Sequence, residues 1–251
     1  MPIPLCAQRA DCLLGFDTST EVLAVGLQTT SGLLTALADG GAAASAALLP
    51  QIRALLKRAE LGYADLDAVA FGQGPGAFTG LRTACAVAQG LALAIGKPLL
   101  PIDSLMLVAE DARTQTGALE IVVLMDARMD EVYGGRYVWQ AGGWTVLQAP
   151  ALYALHALPA LWPQPSKPLF AGSALTVFGS RLGLPDGCQR CETEHDRAAA
   201  LMRLAAQAMA SGQAVDAAQA LPLYIRDKVA LTTHERDAAR AAANALSASA
   251  T

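Results

Sequence analysis

Residues 72–82 read GQGPGAFTGLR. Glycine supplies positive φ and proline fixes its own, so Gly74-Pro75-Gly76 enforces a tight turn. Before the turn, Leu66–Phe71 reads as a buried strand. After it, Thr79–Ile95 reads as a helix that stops at Gly96, with Lys97 and Pro98 beyond. Strand, bend and helix in immediate succession mark an α/β unit. Thr79 is expected to cap the helix, a contribution of about 1 kcal/mol. A helix N-terminus also favours an anion. No lysine follows, as a Walker-type loop requires, and the G-x-G-x-x-G spacing is absent. A phosphate cradle and a purely conformational bend both remain open from pattern alone.

Upstream, the apolar run Leu13–Asp17 ends in DTST (Asp17–Thr20), Glu21–Thr30 alternates, and a Ser31-Gly32 turn leads into a run through Ala38. These predict a three-strand meander. A helix follows with Leu48, Ile52, Leu55 and Ala59 on one stripe, ending near Gly62. Pro50 either opens its regular part or kinks a longer helix. Leu99–Ile102 adds a strand, giving the order β-β-β-α-β-α-β and a mixed sheet flanked by helices. Downstream the order repeats more loosely. A helix is expected at Ser104–Arg113, strands at Leu119–Met125, Glu131–Tyr137 and Trp144–Ala149, and a helix at Ala151–Ala157. A Pro-rich loop, a strand at Leu169–Ala171 and an amphipathic helix at Arg197–Met209 complete the pattern. Two copies of one unit point to a duplicated fold. The tail after Thr232 is Ala-rich and is read as frayed or disordered.

The 251 residues are 53% apolar and 16% charged, with net charge −4, so core material is ample. No Lys/Arg cluster offers the basic face that unaided nucleic-acid binding needs. Five scattered cysteines suit a reducing cytosol better than a disulfide framework. Arg9 and Asp11 interrupt any signal-peptide core, and the apolar run Ala84–Ile95 is too short to span a membrane. A cytoplasmic protein is the expectation.

The helix after the bend carries two uncharged stripes. Leu81, Ala84, Cys85, Ala88, Leu91, Ala92 and Ile95 form the face expected on the sheet. Thr83, Val87, Gly90 and Ala94 form a second, where a solvent-facing helix should carry charge. Small residues there suit close approach of another helix, from a partner or from the same chain. In the preceding helix, Leu49 and Leu56 lie off the main stripe.

Other constellations are weaker. The DTST turn resembles those at which actin-like and sugar-kinase-like ATPases hold phosphate, but Thr18 stands where they usually have glycine; a turn closed by Asp and Ser side chains is the alternative. Cys188, Cys191 and His195 could supply three zinc donors, with no second pair to complete four. Asp126, Asp130 and Glu131 could form an acid–base pair or simply be solvated turn residues.

FDTST, GPGAFTGLR, DARMDEVY and PLYIRDKV, in this order between Leu13 and Val229, resemble the TsaB (YeaZ) family. The resemblance implies an α/β, actin-like (ASKHA) fold of two tandem RNase H-like halves, here 1–103 and 104–231, with 232–251 a tail. It implies a non-catalytic subunit in N6-threonylcarbamoyladenosine modification of ANN-decoding tRNA, with no cofactor or metal of its own. Its partners would be the transferase TsaD and the ATPase TsaE, or a second copy when TsaD is absent, and tRNA would be met only through the complex. The relatives' metal histidines align with Ser104 and Val108, and neither can replace imidazole on a divalent ion. Their adenosine loop is reduced to AGSAL, with Gly172 remaining. Asp17, Thr18, Ser19, Gly74, Gly76 and Gly172 would then be a vestigial nucleotide loop. The implied partner surface comprises Leu49, Ile52 and Leu56 on the first helix, with Phe78, Thr79, Arg82, Thr83, Val87, Gly90 and Ala94 on the second. The first helix opens AAASAALLP, poorer in polar residues than the family pattern at Ala44 and Ser45. An active nucleotide-binding ATPase or kinase-like enzyme is the competing expectation; a metalloprotease lacks a plausible metal set.

Overall fold

The computed structural model describes residues 12–161 and 167–226. The readings made on residues 1–11, on the middle of the Pro-rich loop and on the Ala-rich tail lie outside them. Five strands form the first sheet: β1 (Leu13–Asp17), β2 (Val22–Thr29), β3 (Gly32–Asp39), β4 (Ala68–Gly74) and β5 (Leu99–Asp103). Their order is β3-β2-β1-β4-β5; β1–β2–β3 is an antiparallel meander, and β4 and β5 join parallel to β1. The second sheet comprises β6 (Glu120–Asp126), β7 (Glu131–Gln140), β8 (Gly143–Ala154), β9 (Leu169–Ala171) and β10 (Arg190–Cys191). Its order, β10-β9-β6-β7-β8, repeats the first with the same pattern of parallel and antiparallel neighbours. This is the duplicated actin-like architecture.

Helices α1 (Ala44–Arg58) and α2 (Phe78–Ile95) cover one face of the first sheet. Leu48, Ile52, Leu55 and Leu56 of α1 and Ala84, Cys85, Ala88 and Ala92 of α2 pack there against Leu14, Phe16, Val25 and Phe71. Helices α3 (Ser104–Thr116) and α5 (Arg197–Ala210) each follow one sheet but serve the other. Leu105, Val108 and Ala109 of α3 pack on Ile121, Val123 and Tyr137 of the second sheet. Leu201, Met202 and Ala205 of α5 pack on Leu13, Ala70 and Leu100 of the first. Gly15 and Gly26 make this approach possible, since a Cβ on either would stand 2.6 or 2.4 Å from the Met202 side chain. A short α4 (Ala174–Phe178) covers the remaining face with Leu124, Phe170 and Leu182.

Two expectations need correction. Ala151–Ala157 is not a helix: β8 continues to Ala154, because Leu152 and Tyr153 pair with Tyr133 and Val132, and a 3-10 stretch follows. Pairing on a sheet overrides the helix propensity of Ala and Leu here. Thr79 does not cap α2, which starts at Phe78 with Ala77 before it and no side-chain cap. Of the two readings of Pro50, the longer helix holds: α1 begins at Ala44, and Pro50 lies inside it on the exposed side. The apolar run Ala84–Ile95 sits within the longer α2, which by length and composition alone is long and apolar enough to cross a membrane. Its apolarity is accounted for on one side by the core it helps to build.

Candidate functional site

The bend at residues 74–76 leans directly on the loop that follows β1. The Ala77 N–H donates to Ser19 O at 2.8 Å, and Thr18 Oγ1 donates to Gly80 O at 2.7 Å. A Cβ on Gly80 would stand 1.8 Å from Thr18 O, and one on Gly76 would stand 2.5 Å from Ser19 O. Gly74 adopts φ +115°, which only glycine accepts readily. The glycines therefore serve contact between two stretches of backbone, and no gap for a phosphate separates them. Thr18, the residue that departs from the ATPase pattern, supplies the hydroxyl that ties the loop to α2.

Asp17, Thr18 and Ser19 are all buried. Asp17 Oδ1 accepts from the Ser19 N–H at 2.9 Å and from Ser19 Oγ at 2.7 Å. Its Oδ2 accepts from Ser104 Oγ at 3.0 Å, and that hydroxyl accepts from the Gly74 N–H at 3.1 Å. A Cβ on Gly72 would stand 1.6 Å from Asp17 Oδ2. Ser104 is fixed by the start of α3, where Asp103 accepts from the N–H groups of Leu105 and Met106. Val108 is enclosed in the apolar cluster of the second sheet.

The sequence reading overlooked Arg197. It opens α5, is 3% exposed, and reaches Asp17 Oδ1 with Nε at 3.2 Å. Nη1 donates to Glu194 Oε2 at 2.6 Å, while Nη2 donates to Ser19 Oγ at 3.1 Å and Ser104 O at 3.3 Å. Burial alone would lower this guanidinium's pKa; Asp17 and Glu194 reverse that and hold it above the ordinary arginine value. The aim of Arg197 is set from α3: buried Asp111 accepts from the N–H groups of His195 and Asp196 at 2.8 and 3.0 Å, fixing the chain just ahead of α5.

A cleft of about 630 Å³ opens beside this network, between the two halves. Its walls are largely apolar, including Leu81, Leu105, Met125, Tyr133 and Ile225. Its charged groups are already paired: Arg128 with Glu21 and Asp126, Arg226 with Glu131, Arg197 with Asp17 and Glu194. Asp130 pairs with Arg181 at 3.0 Å. Asp126, Asp130 and Glu131 are thus each paired with an arginine rather than with one another. Gly172 is set by packing, since a Cβ there would stand 2.4 Å from Leu124 O. Cys188 and Cys191 join clusters on opposite faces of the second sheet. Among the described residues, no three Cys, His, Asp or Glu side chains converge as metal donors.

The flank of α1 and α2 divides into covered and open parts. Ile52 and Leu56 are buried in the chain's own core, as is Ala44, so they offer no surface. Cys85 and Gln89 meet the 217–220 segment, with Gln89 Nε2 donating to the carbonyls of Ala217 and Ala220. Phe78 and Arg82 are engaged by residues 221–226. Tyr224 stacks 5.1 Å from the Phe78 ring and accepts from Arg82 Nε at 3.0 Å; the Arg82 guanidinium lies 3.8 Å from the Phe78 centroid. Thr83 and Val87 are half-buried. Leu49, Thr79, Ala86, Gly90 and Ala94 are exposed, and Leu93 is 72% exposed. No charged side chain stands on α2 beyond Arg82.

The comparisons with known proteins agree with this architecture. The family model described as TsaD, tRNA N6-adenosine threonylcarbamoyltransferase, matches residues 41–233. The TsaB protein of tRNA threonylcarbamoyladenosine biosynthesis from Escherichia coli K12 is 29% identical over 230 residues, covering 87% of this chain and 96% of that one. The solved structure of YeaZ from Pseudomonas aeruginosa superimposes with a TM-score of 0.77 at 36% identity, covering 85% of this chain and 99% of that one. A second Pseudomonas aeruginosa structure, described as similar to peptidase YEAZ, gives a TM-score of 0.79 at 35% identity over 86% of this chain and all of that one.

Proposed function

This chain belongs to the TsaB (YeaZ) family, and from that premise we propose that it is a non-catalytic subunit for N6-threonylcarbamoyladenosine formation on tRNA. It docks on the transferase TsaD through the outer flank of α2, with TsaE joining the assembly and tRNA reached only through the complex. Without TsaD the same flank pairs two copies of the chain. The observation that carries this reading is an uncharged, exposed surface on an 18-residue helix whose other face is core. Ala86, Gly90 and Ala94 keep that surface low, and Leu93 projects from it. An apolar anchor beside small residues lets a partner helix approach closely and gives it something to grip. Leu49 on α1 extends the surface, whereas Ile52 and Leu56 are excluded by their burial.

Two features support the non-catalytic part. Ser104 and Val108, at the positions of the relatives' metal histidines, are a hydroxyl committed to Asp17 and an enclosed aliphatic group. Neither can hold a divalent ion. Among the described residues, Arg128, Arg197 and Arg226 of the cleft each pair with a carboxylate, although Arg226 Nε has no partner of its own. These features weigh equally against an ATPase or kinase-like enzyme. The test is co-elution of the purified chain with its cognate TsaD on a sizing column, alongside calorimetry of the lone chain with ATP and Mg²⁺. A heterodimer and no heat of nucleotide binding are expected; micromolar nucleotide binding by the lone chain would favour the enzyme instead.

A further inference from the structure

An actin-like fold implies a nucleotide and its metal ion near the loop that follows the first strand, and the residues of this chain do not fit that group. The loop is closed onto the bend by Thr18 and by three glycine contacts that admit no Cβ. Both oxygens of Asp17 are taken by donors from Ser19, Ser104 and Arg197. A cation already stands among the acceptors, and it is covalently part of the chain.

We propose that the Arg197 guanidinium is a tethered cation, filling a seat made by Asp17, Ser19, the Ser104 carbonyl and Glu194, and that truncating it leaves a vacancy for a free guanidinium-type ion. The shape of the seat carries the choice of ligand. Nε, Nη1 and Nη2 each have their own acceptors, at 3.2, 2.6 and 3.1–3.3 Å, spread around a planar fork. A divalent metal instead needs its oxygens gathered at about 2.0–2.6 Å from one point. A buried acceptor set of this kind, stripped of its cation, leaves Asp17 uncompensated, and that strongly favours refilling. In the intact chain, Arg197 also joins α5, the β1 loop and the start of α3 without any added ligand. The relation of these elements is then independent of nucleotide. This inference does not depend on the docking surface or on TsaD.

The experiment is thermal unfolding of Arg197→Ala with millimolar methylguanidinium chloride, against the same concentration of NaCl or MgCl₂. Methylguanidinium should raise the midpoint of the variant by about 2–4 °C, the scale of a modest stabilisation in a chain this long. It should leave the wild type unchanged, and also the Asp17→Asn, Arg197→Ala double variant. No selective rise, or an equal rise with Mg²⁺ or in the double variant, would overturn the proposal. If Arg197→Ala does not fold, soluble yields of Arg197→Met and of Asp17→Asn with Arg197→Met decide the matter. The double variant should recover, because the uncompensated carboxylate is gone; equal yields would overturn the proposal.

Discussion

Gly90 offers a perturbation that separates docking from folding. It is exposed on α2, and a Cβ added there meets nothing within 4 Å. Gly90→Glu should therefore leave the monomer intact. Replacing a mid-helix glycine with a better helix former should even stabilise it, by about 0.5 kcal/mol. At a docked interface the same side chain would bring an unpaired carboxylate against a partner helix, at a cost of about 3 kcal/mol, or roughly a 100-fold loss of affinity. The assay pairs a thermal melt of the lone variant with titration calorimetry against TsaD. An unchanged or raised midpoint together with lost binding is the expected result. Wild-type affinity in Gly90→Glu would refute the surface assignment, whereas a fall in midpoint would refute the claim that this flank is free of the chain's own atoms.

Three further outcomes follow from the packing. Gly80→Ala should cost about 2–4 kcal/mol in denaturant unfolding, because its Cβ would stand 1.8 Å from the Thr18 backbone oxygen; Gly90→Ala is the matched control, and should gain up to about 1 kcal/mol. Glu110 is buried with Arg113, Arg203 and Trp144 donating to it at 3.0, 2.6 and 2.9 Å. Burial alone would raise its carboxyl, but those bonds hold it below the ordinary value. With the folded value depressed, its stabilisation is complete above the unfolded value of about 4.3 and is lost as pH falls through the folded value. The stability gap between wild type and Glu110→Gln should accordingly be present at neutral pH and shrink below about pH 4 in urea titrations. Tyr224→Ala removes the Phe78 ring contact and the Arg82 hydrogen bond. It should destabilise by about 1 kcal/mol and speed proteolysis near residue 224, read by mass spectrometry of the fragments.

Much of the fold was legible because its signals are local. An apolar run marked β1, alternation marked β2, the Ser31-Gly32 turn marked the start of β3, the Gly-Pro-Gly bend marked the β4–α2 junction, and Gly96 marked the end of α2. The repeat of strand order was enough to imply duplication. What escaped the sequence depends on distance along the chain. Arg197 meets Asp17 across 180 positions, and an arginine opening an Ala-rich helix gives no hint of burial. Leu56 reads as off the stripe of α1, yet it stands about one helical turn after Ile52 and is buried with it in the same cluster. Residues 222–226 begin the PLYIRDKV motif, but the place of Tyr224 over Phe78 and Arg82 is a tertiary fact. Ala151–Ala154 carries helix-forming residues, and pairing with β7 overrules them. Gly74, Gly76 and Gly172 each permit a close backbone contact, which their isolated glycine signal could not specify.

The most direct test of the account is threonylcarbamoyladenosine yield on tRNA from a reconstituted mixture of TsaD, TsaE and this chain, measured with the wild type, with Gly90→Glu and with the chain omitted. Full yield with the wild type, and yield near the no-chain background with Gly90→Glu and on omission, is the predicted result. Equal yields in all three mixtures would contradict it.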